Sequence, residues 1–384
     1  MHYLQAITAM LQNKIYKNFS IEILKTFFLI LFGISLIALT VRAVNFLDLI
    51  VDSGYSISTY LYYSVLNLFG IAPKFIPLSF LLALTIFIVK HLEEGEFIIL
   101  WTSGIRKIEI VKLFFYISVL ITIFYLLLSS LITPFFLNKS RQILSGNQFD
   151  SFLPTVRSQH FSDSFKGFTF IVEKKIDNKI KNIFLHDTGN NLKNLSSNTK
   201  KNQKSVIVAE KGAIEEKKIF LFNGQIISSD TDNFNNDIIK FDQLSIDLSN
   251  LVTTTIKSPK LQETSTIKLL SCLDEHFYFN KELCIMAKEE IIPTLNRRII
   301  MPLYVPIISL ICCFLLLKNK KFFLNKILIF SYGFTIVLFT ELTVKFTGLN
   351  FFLKYFFSII PFLLIFIIYF LLKYNFLMEN KNHE

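Results

Sequence analysis

Apolar residues run in long unbroken stretches towards both ends of this chain, whereas the middle alternates apolar and polar positions. The stretches 113–138, 299–317 and 355–372 contain no charged residue, and each reaches or approaches the roughly 18–20 residues that a helix needs to cross hydrocarbon. Three further stretches carry a charge within or beside them: 26–41 between Lys25 and Arg42, 53–89 around Lys74, and 327–340 ahead of Glu341. The pattern predicts six membrane-spanning helices. Splitting 53–89 at Pro73, Lys74 and Pro77 would leave only 75–89 for a second span, so a single helix is expected, irregular at its start, with the Lys74 stem reaching towards an interface.

From 139 to 266 the period changes. The segments FTFIVEKK, KNIFLHD, SVIVAEKGAIEE, KIFLFNGQIISSD and IIKFDQLSIDL each read as a strand, with a turn expected at Asn223-Gly224 and a long Asn/Lys-rich loop over 189–204. An all-β domain of sandwich or jelly-roll type is therefore inserted between helices 1–3 (residues 1–138) and a linker with helices 4–6 (267–384). The fold class is an α-helical integral membrane protein with an inserted all-β, jelly-roll-like domain.

Composition agrees: 52% of the 384 residues are hydrophobic, 43 are Phe, and the mean hydropathy is +0.49. The net charge of +11 does not point to nucleic acid, because the basic residues fall in loops suited to anionic headgroups. With the N-terminus inside, the clusters Lys14/Lys17/Lys25, Lys90/Arg106/Lys107/Lys112, Lys318–Lys326 and Lys373/Lys381 are all cytoplasmic, whereas the short outer loops keep little beyond Arg42, Lys345 and Lys354. The β domain then lies outside the cytoplasm. The first span shows no small-residue cleavage site and is expected to be retained. Cys312 and Cys313 lie inside a span, and the spacing of Cys272 and Cys284 leaves a disulfide open.

Catalytic signatures are missing. No glycine is followed by lysine, which excludes a P-loop, and neither H-E-x-x-H nor G-x-S-x-G occurs. The group Asp274-Glu275-His276 is read as a solvated helix start rather than a metal site. A non-enzymatic membrane subunit is expected, with no metal or cofactor of its own.

Residues 92–112, which include the only tryptophan, Trp101, interrupt the apolar pattern with an amphipathic one. Leu92, Phe97, Ile99, Leu100, Ile105, Ile108 and Val111 are expected to face apolar surroundings, and Glu93, Glu94, Glu96, Arg106, Lys107 and Glu109 to face water or a partner. Such a segment suits a coupling helix, by which a permease without a nucleotide site docks on a separate ATPase, and Ser103-Gly104 would break it from the next span.

The stretch from Glu94 to Ile105, EGEFIILWTSGI, resembles the coupling-helix signature of the LptF/LptG permeases of lipopolysaccharide export. APKFIPLSFLLAL (72–84), VRAVNFLDL (41–49) and LNRRIIMPLY (295–304) are similar to that family's span boundaries, and VIVAEKGAI and LFNGQI to its jelly roll, with LNRR and PLY leaning towards LptF. The resemblance implies a multi-pass protein of the bacterial inner membrane with cytoplasmic termini and a periplasmic β domain. Its partners would be an LptB-like ATPase dimer that uses the ATP, a second, LptG-like permease and an LptC-like periplasmic protein, and its cargo lipopolysaccharide. On this footing Glu96, Phe97, Leu100 and Gly104 are the ATPase-coupling candidates. Arg42, Glu341, Lys345, Phe170, Phe184 and Phe220 are the lipid-binding candidates, Glu341 and Lys345 either pairing with each other or lining one entrance. A permease for another lipid or lipoprotein, and a non-transporting membrane-anchored scaffold or binding protein, are the alternatives.

Overall fold

The computed structural model describes residues 14–51, 56–146, 158–159, 161–165, 168–176, 178–188, 203–215, 218–230, 236–247, 260–273, 284, 288–317, 322–349 and 351–381. The chain divides into two compact units, one of Met1–Val41, Leu66–Asn138 and Lys260–Glu384, the other of Arg42–Val65 and Lys139–Pro259.

Among the described residues, six helices are long and apolar enough to span a bilayer: Lys14–Ile50, Ile57–Glu93, Lys107–Leu144, Glu289–Leu316, Leu324–Phe346 and Tyr355–Glu379. Ile57–Glu93 is a single helix, with Pro73 and Pro77 inside it. The fourth span is the most enclosed, 78% of its most apolar window being buried against 17% in the first and sixth.

Proline removes an N–H and so orphans the carbonyl four residues earlier, which is costly where no water can reach. In this bundle a hydroxyl from another element fills that role repeatedly. Pro73 orphans Phe69 O, and Thr133 Oγ1 of the third span donates to it at 2.8 Å, sharing its proton with Leu128 O. Pro134 orphans Ser130 O, which accepts from Thr266 Oγ1 at 2.5 Å. Pro302 orphans Arg298 O, met by Ser129 Oγ at 2.8 Å, and Pro361 orphans Phe357 O, met by the Tyr304 hydroxyl at 3.1 Å. The π-helical turns Leu128–Ile132 and Asn296–Ile300 lie just ahead of Pro134 and Pro302, where the normal i−4 ladder is already interrupted. Gly348 serves the same economy differently, since a Cβ there would run into Glu289 O, the carbonyl that Pro293 orphans.

The inserted domain is a six-stranded antiparallel sheet in sequential order, β1 Ser162–Phe165, β2 Phe168–Ile176, β3 Lys179–Asp187, β4 Gln203–Glu215, β5 Lys218–Asp230 and β6 Asn236–Asp247. β2 to β6 coincide with the strands read from the sequence. Asn223-Gly224 is no turn: it lies inside β5, and the chain reverses between Glu215 and Lys218, which pair. Of the expected 189–204 loop, 189–202 fall outside the described residues and the last two open β4.

Alternation along these strands breaks once, in register. Val172 and Lys175 in β2, Ile180 and Ile183 in β3, Ala209 and Gly212 in β4, Leu221 and Gly224 in β5 and Phe241 and Leu244 in β6 point to the inner face, with a pair of outward residues between each. Because Lys174, Lys181, Lys211, Phe222 and Gln243 are successive cross-strand partners, these pairs form one line, along which the sheet is creased. Asn182 and Asn223 supply left-handed backbone on this line, with φ of 49° and 52°, which Asn tolerates better than other side chains. Small residues beside it admit close packing: a Cβ on Gly224 would run into both the Phe241 ring and Val208 O. Lys175, half-buried on the inner side opposite Ile180, has its ammonium pKa lowered by that burial.

Candidate functional site

The amphipathic stretch is not one helix. The second span ends at Glu93, Gly95 turns the chain with φ 76°, a helix covers Glu96–Thr102, and Gly104, with φ 95°, turns it again before the third span. Nothing lies within 4 Å of a Cβ built at Gly95 or Gly104, so backbone conformation rather than space calls for glycine at both. This cuts the expected 92–112 segment to a single two-turn helix and changes its faces. Phe97 and Leu100 are buried as expected, but Ile99 is 65% exposed, next to Ile98 at 55%. The exposed face thus presents an isoleucine pair beside Glu93, Glu94 and Glu96.

The buried face is anchored by aromatic contacts. Phe97 meets Phe19, Phe87 and Phe114 edge-on and stacks on Trp101 at 6.1 Å. His91, which the sequence did not single out, lies against the acid. Its Nδ1 lies 2.9 Å from Phe87 O, a pure acceptor, so that nitrogen carries a proton. Its Nε2 stands 3.4 Å from Glu22 Oε2 and 3.3 Å from Glu96 Oε2, and Glu22 also accepts from Lys90 at 2.8 Å. Lys326 of the fifth span pairs with Glu93. The helix Glu96–Thr102 thus meets the first and second spans at His91 and Glu22, and an ion pair joins the turn before it to the fifth.

A second polar region lies among the second, third, fourth and fifth spans. Arg297 Nη2 donates to Glu341 Oε2 at 3.0 Å, so Glu341 is paired across helices and not with Lys345, which is exposed. The pair borders a cavity of about 80 Å³, also lined by Lys74, Tyr125, Ser129 and Thr133. That volume suits a few waters and not an acyl chain. The neighbouring Arg298 is only 5% exposed and serves to bind the segment that follows the β domain to the fourth span, donating to Leu261 O, Gln262 O, Thr264 O and Thr266 Oγ1. Cys272 and Cys284 are disulfide-bonded, with Cα atoms 5.4 Å apart.

Arg42 is exposed in the last turn of the helix Lys14–Asn45, where a cation complements the carbonyl end. Of the three strand phenylalanines, only Phe170 points into the sheet's apolar cluster, at 2% exposure. Phe184 (38% exposed) pairs with the exposed Val208, and Phe220 is the strand neighbour of the inward Ile219 and Leu221, so both lie on the other face. Simple alternation fails for them because it counts across the crease. Asp274-Glu275-His276 lies outside the described residues.

The family model described as lipopolysaccharide export system permease LptF/LptG matches residues 21–375. No curated protein matches the chain.

Proposed function

This chain belongs to the LptF/LptG permease family, a family of transmembrane permease subunits, and from that membership we propose that it is one of two paired permeases that lift lipopolysaccharide from the inner membrane with energy from a separate ATPase. The family match over nearly the whole chain carries this assignment. The docking helix supports the ATPase half of it. Two exposed isoleucines beside acidic side chains, on a helix whose other face packs against the bundle, suit a groove with an apolar floor and a basic rim. The outer surfaces of the first and sixth spans support the pairing, because Leu29, Ile37, Phe362 and Phe366 are exposed apolar residues that need lipid or another membrane protein against them.

Orientation follows the charge bias, with the termini and docking helix cytoplasmic and the β domain periplasmic. The Cys272–Cys284 disulfide favours the same arrangement, since such bonds persist on the oxidising side of the membrane. In this scheme the apolar inner face of the sheet, with Phe170 in it, receives acyl chains, and Arg42 and Lys345 offer outer-end cations to lipid phosphates.

The test is purification of the complex from its native membrane, with identification of its subunits and bound lipid. An ATPase, a second permease and lipopolysaccharide are expected together; a complex holding another lipid or a lipoprotein, or no ATPase at all, refutes the assignment. Glu96→Lys is expected to weaken ATPase association at least tenfold.

A further inference from the structure

We propose that Lys107 is the joint through which displacement of the docking helix reaches the inner ends of the fourth and sixth spans, a role that rests on the ATPase-docking function proposed for Glu96–Thr102. The ammonium of Lys107 touches three other parts of the bundle at once. From the first residue of the third span it donates to Glu379 Oε1 of the sixth at 2.6 Å and to Leu316 O at the end of the fourth at 3.1 Å, and lies 4.5 Å from the ring centroid of Trp101 in the docking helix. Lys107 and Glu379 are each only 19% exposed, which separates this pair from a solvent-screened surface contact. Leu316 O belongs to the last turn of its helix, where carbonyls have no partner further along the chain. A cation there meets both an unused acceptor and the negative end of the helix dipole.

The node is not closed. Among the described residues Trp101 Nε1 and Glu379 Oε2 are both buried without a partner, one a donor on the ring that the ammonium faces and the other an acceptor on the carboxylate that binds it. Buried orphans of opposite kind next to a shared cation favour movement that joins them. A shift of the docking helix that carries the indole N–H to Glu379 is therefore a second arrangement of the same parts, with Lys107 kept as the common partner. Such a two-position contact converts a push on Glu96–Thr102 into a displacement of the sixth span. Phe97, stacked on Trp101, ties the indole to the buried face of the same helix, so the whole docking helix moves with it.

The chain's only tryptophan is Trp101, so it reports on the joint directly. Met378, 46% exposed and next to Glu379, is replaced by cysteine and labelled with bimane, which nearby tryptophan quenches. The native cysteines do not compete, since Cys312 and Cys313 are buried and Cys272 is bonded to Cys284. Lys107→Met is expected to cut the quenching at least twofold and Lys107→Arg to keep it, with Trp101→Phe as the zero. In proteoliposomes containing lipopolysaccharide and the co-purified ATPase, Lys107→Met is expected to keep ATP hydrolysis within twofold but to lower lipid released per ATP at least tenfold. Glu379→Gln does the same should Lys107→Met fail to fold. Unchanged quenching refutes the joint, and lost quenching with undiminished release per ATP refutes its transmitting role. Failure of any ATPase to associate with the unaltered chain counts against the docking function instead, and the quenching measurement still decides the contact.

Discussion

Thr133 shows how much a single hydroxyl can carry inside a membrane helix bundle. Its Oγ1 meets Phe69 O, the carbonyl that Pro73 leaves open, across a separation of 64 residues. Thr133→Val removes the donor at little change of shape, and thermal unfolding in detergent is expected to report a loss of about 1–3 kcal/mol, the cost of a buried unpaired carbonyl. Pro73→Ala restores an N–H at the right place, so in the Thr133→Val background it should recover most of that loss. If the two losses simply add, the carbonyl is not what Thr133 serves. The prolines were plain in the sequence and their partners were not, because nothing local marks which distant Ser, Thr or Tyr will arrive. The same holds for Glu341, whose partner is Arg297 at a separation of 44 and not the lysine four residues on. Helical spacing proposes neighbours on one helix, whereas in a crowded bundle facing helices compete for the same charge.

Strands β2 to β6 were legible because their apolar residues alternate, and the short crease was not, because it exchanges the two faces without ending a strand. Asn223-Gly224 looks like a hairpin signal for a sound reason, since Asn accepts left-handed backbone, but here that conformation bends a strand instead of reversing it. Gly224→Ala is expected to destabilise the domain by about 1–3 kcal/mol, as overpacking does, because the new methyl meets a backbone oxygen as well as the Phe241 ring; limited proteolysis of the full chain measures it. The crease also fixes which positions suit a photo-crosslinker. In place of Phe170 it is expected to trap lipopolysaccharide only when ATP is hydrolysed, and in place of Phe184 or Phe220 it should not. Equal trapping at all three positions refutes a lipid path along the inner face.

For the molecule as a whole, hydropathy made the number of spans legible, and the distribution of lysines sets an expected direction for them. The spans differ in ways that hydropathy alone does not rank. The fourth and sixth have the same mean hydropathy of 2.6 yet differ in burial, 78% against 17%, since burial depends on neighbours and hydropathy does not. A thiol introduced at Thr102, exposed at the end of the helix Glu96–Thr102, is expected to react with a membrane-impermeant maleimide only after the inner membrane is opened. One at Lys260 should react in intact spheroplasts. Reaction of both from the same side overturns the orientation.

The hydroxyls that answer the prolines also set a timetable. A ribosome delivers this chain from its N-terminus, so Arg298 O and Phe357 O meet donors, Ser129 and Tyr304, that are already made. Ser130 O does not: its donor, Thr266, comes 136 residues later, beyond the whole β domain. Until then the third span carries an open acceptor at its proline, and a translating chain cannot finish packing its first half. Truncation before Thr266 should therefore leave nascent chains in which helices 1–3 are inserted yet remain recognisable to membrane quality control as incomplete.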